Sequence, residues 1–345
     1  MNSSTTLIQV LHGATLMSAN MSYTITTESP ATLTSSWFNL QHLRWDHIFT
    51  LPCWLEVWWH EFGADTELYL RAVRHGEDVI GIAPLLLKKD QACLIGSTDV
   101  CDYLDFVVAP GREQEFFDVI LHDLTQRGIT CLDLSCLRPD SITATNLITM
   151  ARDRGYKVCF DLEDVSLELE LPATWDEFLE ILDSKQRHEV KRKLRRLEEA
   201  GSVEYDVTDD IEVIPQTIDI FLKLFRESRE DKACFLTTRR ESFFRSVSKC
   251  MGEAGLLKLG ILRLDSSPVA SVMYFDYLDR VYLYNSGYDP PYSPLSVGLL
   301  SKILCIKDSI EKGKKLFDFM KGAEPYKYRM RGKEIPIYRG KIFLT

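Results

Sequence analysis

The residues between positions 281 and 329 combine the features of a phosphate site with side chains that can transfer protons. An aromatic strand-like run at 281–286 leads into a loop rich in Gly, Pro and Ser, and a helical pattern follows. A helix N-terminus offers unpaired N–H groups and the positive end of its dipole, so a small-residue loop there can hold a phosphate. A second strand (316–320) and a polar segment (321–329) come next. We expect this polar segment to lie beside whatever the loop binds.

Bulk properties set limits on the class of protein. A chain of 345 residues predicts two domains. The net charge of −10 argues against a general nucleic-acid binder. The nine cysteines form no CxxC pair and lack metal-ligand spacing. We therefore expect reduced thiols in a cytoplasmic protein and no metal site.

The first 35 residues form a separate segment. They are rich in Ser and Thr and contain neither Lys nor Arg, so a signal peptide with a basic n-region is not predicted. This composition predicts disorder up to about Ser35. Met17 and Met21 leave open an internal start. No apolar run approaches the length of about 20 residues that a membrane-spanning helix needs.

The rest of the chain alternates helical and strand-like patterns. Apolar residues recur at helical spacing over 51–62 and over 113–127, and strand-like runs flank the turn sequence at 75–78. A second hairpin pattern spans 256–277. This order predicts a mixed α/β (α+β) fold.

A strongly basic helix is predicted at 184–201, where an apolar stripe of Val190, Leu194 and Leu197 marks one docked face. Its charged residues form either an ordinary solvated face or a clamp for an anionic substrate. In the second interpretation we expect Lys191, Arg192 and Arg195 to bind the substrate.

The two halves of the chain resemble one another. Residues 68–87 and 257–276 both read as strand, polar turn and strand, with small residues at the centre of the second strand. Further on, CLDLSCLRPD (131–140) parallels LFDFMKGAEP (316–325). The matching order of elements predicts a tandem duplication, with a first module at 36–165 and a second at 166–345 that includes the basic helix.

Several stretches together carry a family resemblance: CWLEVWWHEFG, GIAPLLL, DYLDF, SKQRHEVKRKLRRLEEAG, YNSGYDPPYSPLSVGLL and FDFMKGAEPYKYR. The chain resembles two GCN5-related N-acetyltransferase (GNAT) folds in tandem. The resemblance is to the cellulose-biosynthesis-associated CelD/BcsL-type acetyltransferases, which are akin to the Fem aminoacyltransferases. It implies two modules, each with a mixed, mostly antiparallel sheet flanked by helices.

The resemblance also implies a reaction, the transfer of an acyl group from acetyl-CoA or another acyl-CoA to an amine or hydroxyl. The acceptor would be a sugar, amino-sugar or peptide-like precursor of envelope or exopolysaccharide metabolism. The donor would meet the loop and helix start, through Tyr284, Ser286, Ser296, Val297 and Gly298. The usual family pattern has two spaced glycines after a basic or Gln residue, and only Gly298 remains here. An ordinary loop-to-helix turn is the alternative.

Catalytic candidates follow from the same resemblance. Lys327 approximately matches a Fem-family lysine near the reacting carbonyl, and an ammonium suits a developing oxyanion. Tyr326 offers a similar donor. Asp318 and Glu324 flank this segment and are candidates for the base. An exposed polar loop without catalytic residues is the alternative.

The first module supplies candidates for acceptor binding. Asp102, Tyr103 and Asp105 belong to DYLDF, and the two carboxylates fit either acceptor binding or, secondarily, base catalysis; they fit equally well as caps of a helix or strand. Two other functions stay open. One is a Fem-like aminoacyl-tRNA-dependent ligase whose basic helix contacts tRNA. The other is a non-catalytic binding module on the same fold.

Overall fold

The structure is a computed structural model, and it describes residues 16–18 and 21–344. Its strands are β1 (Leu16–Ser18), β2 (Met21–Thr27), β3 (Glu67–His75), β4 (Asp78–Lys88), β5 (Gln91–Leu94), β6 (Val107–Val108), β7 (Cys131–Leu137), β8 (Lys157–Glu170), β9 (Val203–Thr208), β10 (Leu257–Leu264), β11 (Ser267–Tyr277), β12 (Arg280–Tyr288), β13 (Leu316–Lys321) and β14 (Lys333–Phe343).

Helices connect and cover these strands. The α-helices are α1 (Pro30–Ser36), α2 (Pro52–Phe62), α3 (Glu113–Gln126), α4 (Ile148–Asp153), α5 (Trp175–Ile181), α6 (Ser184–Glu198), α7 (Ile214–Ser228), α8 (Glu230–Phe235), α9 (Thr238–Glu253), α10 (Val297–Glu311) and α11 (Pro325–Arg329). A π-helical turn (Thr143–Leu147) precedes α4, and a 3-10 helix (Pro290–Leu295) precedes α10. The periodic patterns predicted most of these elements, including the basic helix α6.

The strands form one continuous 14-stranded sheet. Its order is β1-β2-β3-β4-β5-β7-β14-β8-β13-β12-β11-β10-β9, and β6 pairs with β4. Neighbouring strands are antiparallel, except that β5 runs parallel to β7 and β12 runs parallel to β13. The fold is therefore mixed α/β with a mostly antiparallel sheet flanked by helices, as the sequence predicted.

The two parallel pairs occupy equivalent places. Residues 91–93 pair with 131–133 in the first half, and residues 280–282 pair with 316–318 in the second. In each half the strand after a short turn is anchored by one aspartate carbonyl: Asp90 accepts from Cys131 N, and Asp279 accepts from Leu316 N. Asp133 and Asp318 thus hold corresponding positions.

The last strand of each half lies beside the other half's parallel pair. β14, at the end of the chain, pairs with β7, whereas β8 pairs with β13. β14 and β8 also pair with each other over eleven residue positions. The predicted module boundary at 165/166 falls inside β8. The sequence analysis assigned no element to β14, because Pro336 and its charged residues weaken the strand pattern.

The N-terminal segment differs from the prediction of disorder up to Ser35. β2 adds to the sheet beside β3, and α1 begins with a capping box in which Ser29 and Thr32 exchange hydrogen bonds. Pairing along β3 supplied the order that composition alone did not indicate. Residues 1–15, 19 and 20 lie outside the described residues, so that part of the prediction stays untested.

Two hydrophobic clusters support the sheet. The larger packs α2, α3, α7 and α9 against the strands of the first half and one face of the second. The smaller packs α5, α6 and α10 against the other face of the second half. The second half is thereby covered on both faces, which fixes α10 next to β11 and β12. Within the described ranges, no helix has the length and apolar character needed to cross a membrane.

Candidate active site

A cleft opens where β12 and β13 separate. The two strands pair only over 280–282 and 316–318, after which β13 bulges and Met320 adopts a φ of +65°. The resulting cleft has a volume of about 730 Å³ and is lined by residues of β12, α10, β13 and the segment that leads into α11. The loop and helix start that the sequence singled out therefore face a real concavity.

The N-terminus of α10 borders this cleft. Ser296 precedes the helix with a left-handed φ of +60°, and its carbonyl accepts from the N–H groups of Leu299 and Leu300. The N–H groups of Val297 and Gly298 make no backbone hydrogen bond to the described residues. Ser296 and Gly298 line the cleft, whereas the Val297 side chain is buried in the core. Val297 can therefore contribute only its backbone to a ligand.

Gly298 permits close approach at this point. A Cβ atom built on Gly298 would lie 2.7 Å from Cδ1 of the Tyr288 ring, which is closer than real side chains come. The absence of a side chain thus lets the Tyr288 ring pack against the start of the helix.

Two lysines lie within reach of the helix start. Lys302 Nζ donates to the Gly298 carbonyl at 2.6 Å and lies 5.2 Å from the centre of the Tyr326 ring. Burial, aided by the neighbouring Lys232, lowers the pKa of Lys302 to about 7. Lys232 donates to the Ser286 carbonyl, and burial lowers its pKa to about 8. An anion bound here would restore both positive charges.

Other charged residues make the cleft basic. Lys193, Arg229, Lys321 and Lys327 also line it, against the carboxylates of Asp99, Asp102 and Glu324. Cations therefore outnumber carboxylates on the lining. No group of three or more His, Cys, Asp or Glu side chains in the described ranges could hold a metal ion.

Lys327 is held by the loop around it. Its side chain is 2 % exposed, and Nζ donates to the carbonyls of Met320, Lys321 and Gly322 at 2.8–2.9 Å. It also forms an ion pair of 2.8 Å with Glu324, whose side chain is 52 % exposed. Because three carbonyls occupy the ammonium hydrogens, this geometry favours a loop-stabilising role. Tyr326, the neighbouring candidate, lines the cleft, and burial raises its pKa.

Asp318 lies beneath the cleft and does not line it. Its carboxylate is fully buried and accepts hydrogen bonds from Tyr103 Oη at 2.8 and 2.9 Å and from Met320 N at 2.8 Å. Burial, and then the nearby Glu168, raise the pKa of Asp318 to about 6. Asp318 and Tyr103 thus form a buried contact between the two halves.

The two aspartates of DYLDF lie in different environments. Asp102 lines the cleft and accepts from Lys321 N at 2.9 Å, and burial raises its pKa. Asp105 accepts from Ile142 N at 2.6 Å and from both the N–H and the hydroxyl of Thr143. Burial raises the pKa of Asp105 to about 6. Asp105 therefore caps the π-helical turn, one of the alternatives that the sequence left open.

The remaining predicted residues divide between cleft and surface. Tyr284 lines the cleft and donates to the Val100 carbonyl at 3.0 Å, and Ser286 lines it nearby. On α6, Lys191, Arg192 and Arg195 are exposed and do not line the cleft. The α6 residue that does line it is Lys193, which the sequence analysis did not select.

The sequence analysis also did not select Lys232 and Lys302 as residues of the cleft. Lys302 follows Gly298 by four residues, so helical spacing puts both on one face of α10, and this signal was present in the sequence. For Lys232 no such signal existed, since α8 reaches the cleft only through the packing of α7 on β12.

Part of the chain matches a known protein family. Residues 184–328 match the family model described as an acetyltransferase (GNAT) domain, a range that contains α6, the cleft and α11. No curated protein matches the chain.

Solved structures share the fold. The crystal structure of FemX has a TM-score of 0.59 at 11 % identity and covers 91 % of this chain and 96 % of its own. A conserved protein of unknown function from Bacteroides thetaiotaomicron has a TM-score of 0.57 at 12 % identity, covering 92 % and 99 %. L-PGS from Bacillus licheniformis has a TM-score of 0.51 at 12 % identity, covering 84 % and 90 %. The chain thus has a GNAT-like fold, and its residues 184–328 match the acetyltransferase (GNAT) domain.

Proposed function

We propose that this protein transfers an acyl group, in the first place acetyl, from acyl-CoA to an amine or hydroxyl. The acceptor class we propose is a sugar, amino-sugar or peptide-like precursor of envelope or exopolysaccharide metabolism, handled in the cytoplasm. One observation carries the donor assignment. The start of α10, where the N–H groups of Val297 and Gly298 make no backbone hydrogen bond to the described residues, borders a cleft whose charged side chains are mostly cationic.

The donor would lie along the opening between β12 and β13. Its diphosphate would accept from the N–H groups of Val297 and Gly298, with Lys302 and Lys232 close enough to neutralise its charge. The thioester would then lie farther into the opening, beside Tyr284 and Tyr326, which line it. Such residues bind and orient the donor.

The reaction itself needs a base and a donor to the oxyanion. The acceptor nitrogen or oxygen attacks the thioester carbonyl, the C–S bond breaks, and the acceptor proton passes to a base while the thiolate is protonated. Among the carboxylates on the lining, Asp102 has a pKa raised by burial, which makes it a better proton acceptor. Glu324 is the more exposed alternative. The Tyr326 hydroxyl would donate to the oxyanion.

The donor assignment can be tested by ligand-induced stabilisation. We expect acetyl-CoA to raise the melting temperature, because a ligand that binds only the folded state stabilises it. Lys302→Met should weaken acetyl-CoA binding by about tenfold or more, through loss of one charge near the diphosphate. Lys307→Met is the matched control, since Lys307 lies on the same helix but pairs with Glu311 and does not line the cleft.

A Fem-like, aminoacyl-tRNA-dependent ligase is the second candidate. It draws on the fold shared with FemX and on the exposed cations of α6, which continue from the cleft through Lys193. No melting shift at millimolar acetyl-CoA, together with a shift from aminoacyl-tRNA, would replace the first proposal with this one. A non-catalytic binding module would have kept the fold but lost donor recognition. In that case acetyl-CoA would not change the melting temperature, and Asp102→Asn and Tyr326→Phe would change neither ligand binding nor any measured transfer.

A further inference from the structure

A second, smaller pocket lies at the other end of β12 from the cleft. It has a volume of about 200 Å³ and shares no lining residue with the cleft. Its walls come from the segment before α2, from the end of DYLDF, from the residues after β7 and from Arg280 at the start of β12. Both halves of the chain therefore build it.

A buried histidine in this pocket lacks a partner. His47 is 6 % exposed, and its Nδ1 makes no hydrogen bond to any described residue. Burial, followed by the charges of Arg138 and Arg280, lowers the pKa of His47 to about 3, so the imidazole is neutral. An orphaned buried polar atom is unusual because its desolvation is uncompensated. Its position on the pocket wall means that a ligand bound in the pocket could supply the missing partner.

Arg280 presents a free edge to the same pocket. Its Nη1 donates to Glu168 at 2.7 Å, whereas Nε and Nη2 make no hydrogen bond within the described part of the chain. These two nitrogens carry parallel N–H groups, which is the geometry that binds a carboxylate in bidentate fashion. Arg138 beside it is already engaged by Glu168 and Asp140.

Acidic side chains balance these cations. Asp46 pairs with Arg44 at 2.8 Å, and Asp140 pairs with Arg138 at 3.0 Å, and both carboxylates remain substantially exposed on the pocket wall. The carboxylate of Asp105 already accepts hydrogen bonds from backbone N–H groups. A simple anion would meet Asp46 and Asp140, and a simple cation would meet the guanidinium groups. A ligand that carries both a positive and a negative charge can pair with the carboxylates and with the guanidinium groups at the same time.

We propose that this pocket binds a free amino acid as its zwitterion. The carboxylate would accept from Nε and Nη2 of Arg280. The ammonium would lie toward Asp46 and Asp140 and donate to Nδ1 of His47. With room for several water-sized volumes of about 30 Å³ each, the pocket takes a ligand of amino-acid size and excludes one as large as a nucleotide.

Isothermal titration of the full chain with the common amino acids, one by one, tests this assignment. We expect at least one to bind, and its two single-charge analogues, which for alanine are propionate and ethylamine, to bind at least tenfold more weakly. Arg280→Lys keeps the charge but loses the paired N–H groups, so it should weaken the amino acid at least tenfold. Arg339→Lys is the control, because Arg339 pairs with Asp133 outside this pocket.

Three results would overturn the proposal. One is the absence of binding by every amino acid at millimolar concentration. Another is the carboxylate analogue binding as tightly as the amino acid itself, which would mark a plain anion site. The third is unchanged affinity in Arg280→Lys. If that variant does not fold, His47→Phe gives the same test, since the neighbouring Phe49 and Tyr103 rings accommodate an aromatic side chain. Circular dichroism checks that each variant is folded.

Discussion

In both halves of the sheet, a parallel strand pair is hydrogen-bonded over three residue pairs and then separates. The openings left by this separation differ in what occupies them. In the first half the chain itself fills the gap. Leu104 N donates to the Cys136 carbonyl of β7 at 3.0 Å, and β6 pairs with β4. In the second half β12 continues to Tyr288, and the gap remains a cleft.

The helices α3 and α10, which precede the second strand of each parallel pair, also differ in the charge of their first turns. The first turn of α3 contains Glu113 and Glu115, whereas the first turn of α10 contains no acidic residue. Acidic side chains at a helix start neutralise its dipole and repel an anion. In the first half, the opening between the parallel strands is filled by the chain and the following helix starts with acidic residues. In the second half, the opening is a cleft lined mainly by basic side chains, and the following helix starts without acidic residues. This contrast favours the second half as the place of the proposed donor site.

The filled opening still supports the open one. Tyr103, in the filling segment, is fully buried and donates to Asp318 beneath the cleft. Tyr103→Ala should therefore lower the free energy of unfolding by about 3–5 kcal/mol, the usual cost of deleting a buried aromatic side chain. Urea denaturation measures this loss. Tyr328→Ala, at a residue that is 39 % exposed, should cost far less; equal losses would refute a special role for the filling segment.

The basic character of the open copy predicts a pH dependence. The pKa values of Lys302 and Lys232 are lowered to about 7 and about 8, so both lysines are cationic at pH 6 and lose protons as the pH rises. Bound diphosphate favours the protonated forms, so above these values binding must take up protons. Affinity for acetyl-CoA should fall roughly ten- to a hundredfold from about pH 6.5 to about pH 8.5.

Calorimetric titration at several pH values, in buffers of different ionisation enthalpy, measures both the affinity and the proton uptake. Lys302→Met should flatten most of the dependence, because the lysine with the lower pKa is removed. An affinity that does not change with pH in the unmodified protein would show that these lysines do not face the bound donor.

An acidic residue like those in the first turn of α3 can be introduced into the first turn of α10. Leu299 on the cleft lining occupies the position in α10 that Glu115 occupies in α3. Leu299→Glu should reduce acetyl-CoA affinity by about tenfold through repulsion, while Leu299→Gln, similar in size but neutral, should reduce it less. The same titration compares the two. If Gln weakens binding as much as Glu, the effect is steric and the electrostatic contrast fails.

Much of the fold could be predicted because it is encoded in local periodicity. The hairpins, α2, α3 and the strand–loop–helix around Ser296 all have strong patterns. β14 and β2 could not be assigned, since each is a strand only by virtue of its neighbours in the sheet. Their order comes from pairing between distant segments, which composition and spacing do not record.

The site was predicted only in part, for a related reason. Sequence placed Ser296, Gly298, Tyr326 and Asp102 near one cleft, because motifs at strand ends meet there. It did not distinguish a lysine with a free ammonium from Lys327, whose ammonium is held by three carbonyls. That difference depends on how the loop folds back on itself. The catalytic roles of Lys327, Asp318 and Glu324 stay predictions.

The position of β14 also constrains how the chain is made. β14 lies between β7 and β8, yet it follows all the other described strands in the chain and is therefore synthesised after them. Until then β7 has an open edge, and an unpaired edge is a site for mispairing and aggregation. The first half therefore cannot complete its sheet before β14 has been synthesised. A fragment ending at residue 165 would keep that edge of β7 exposed, so we expect the two halves to fold together.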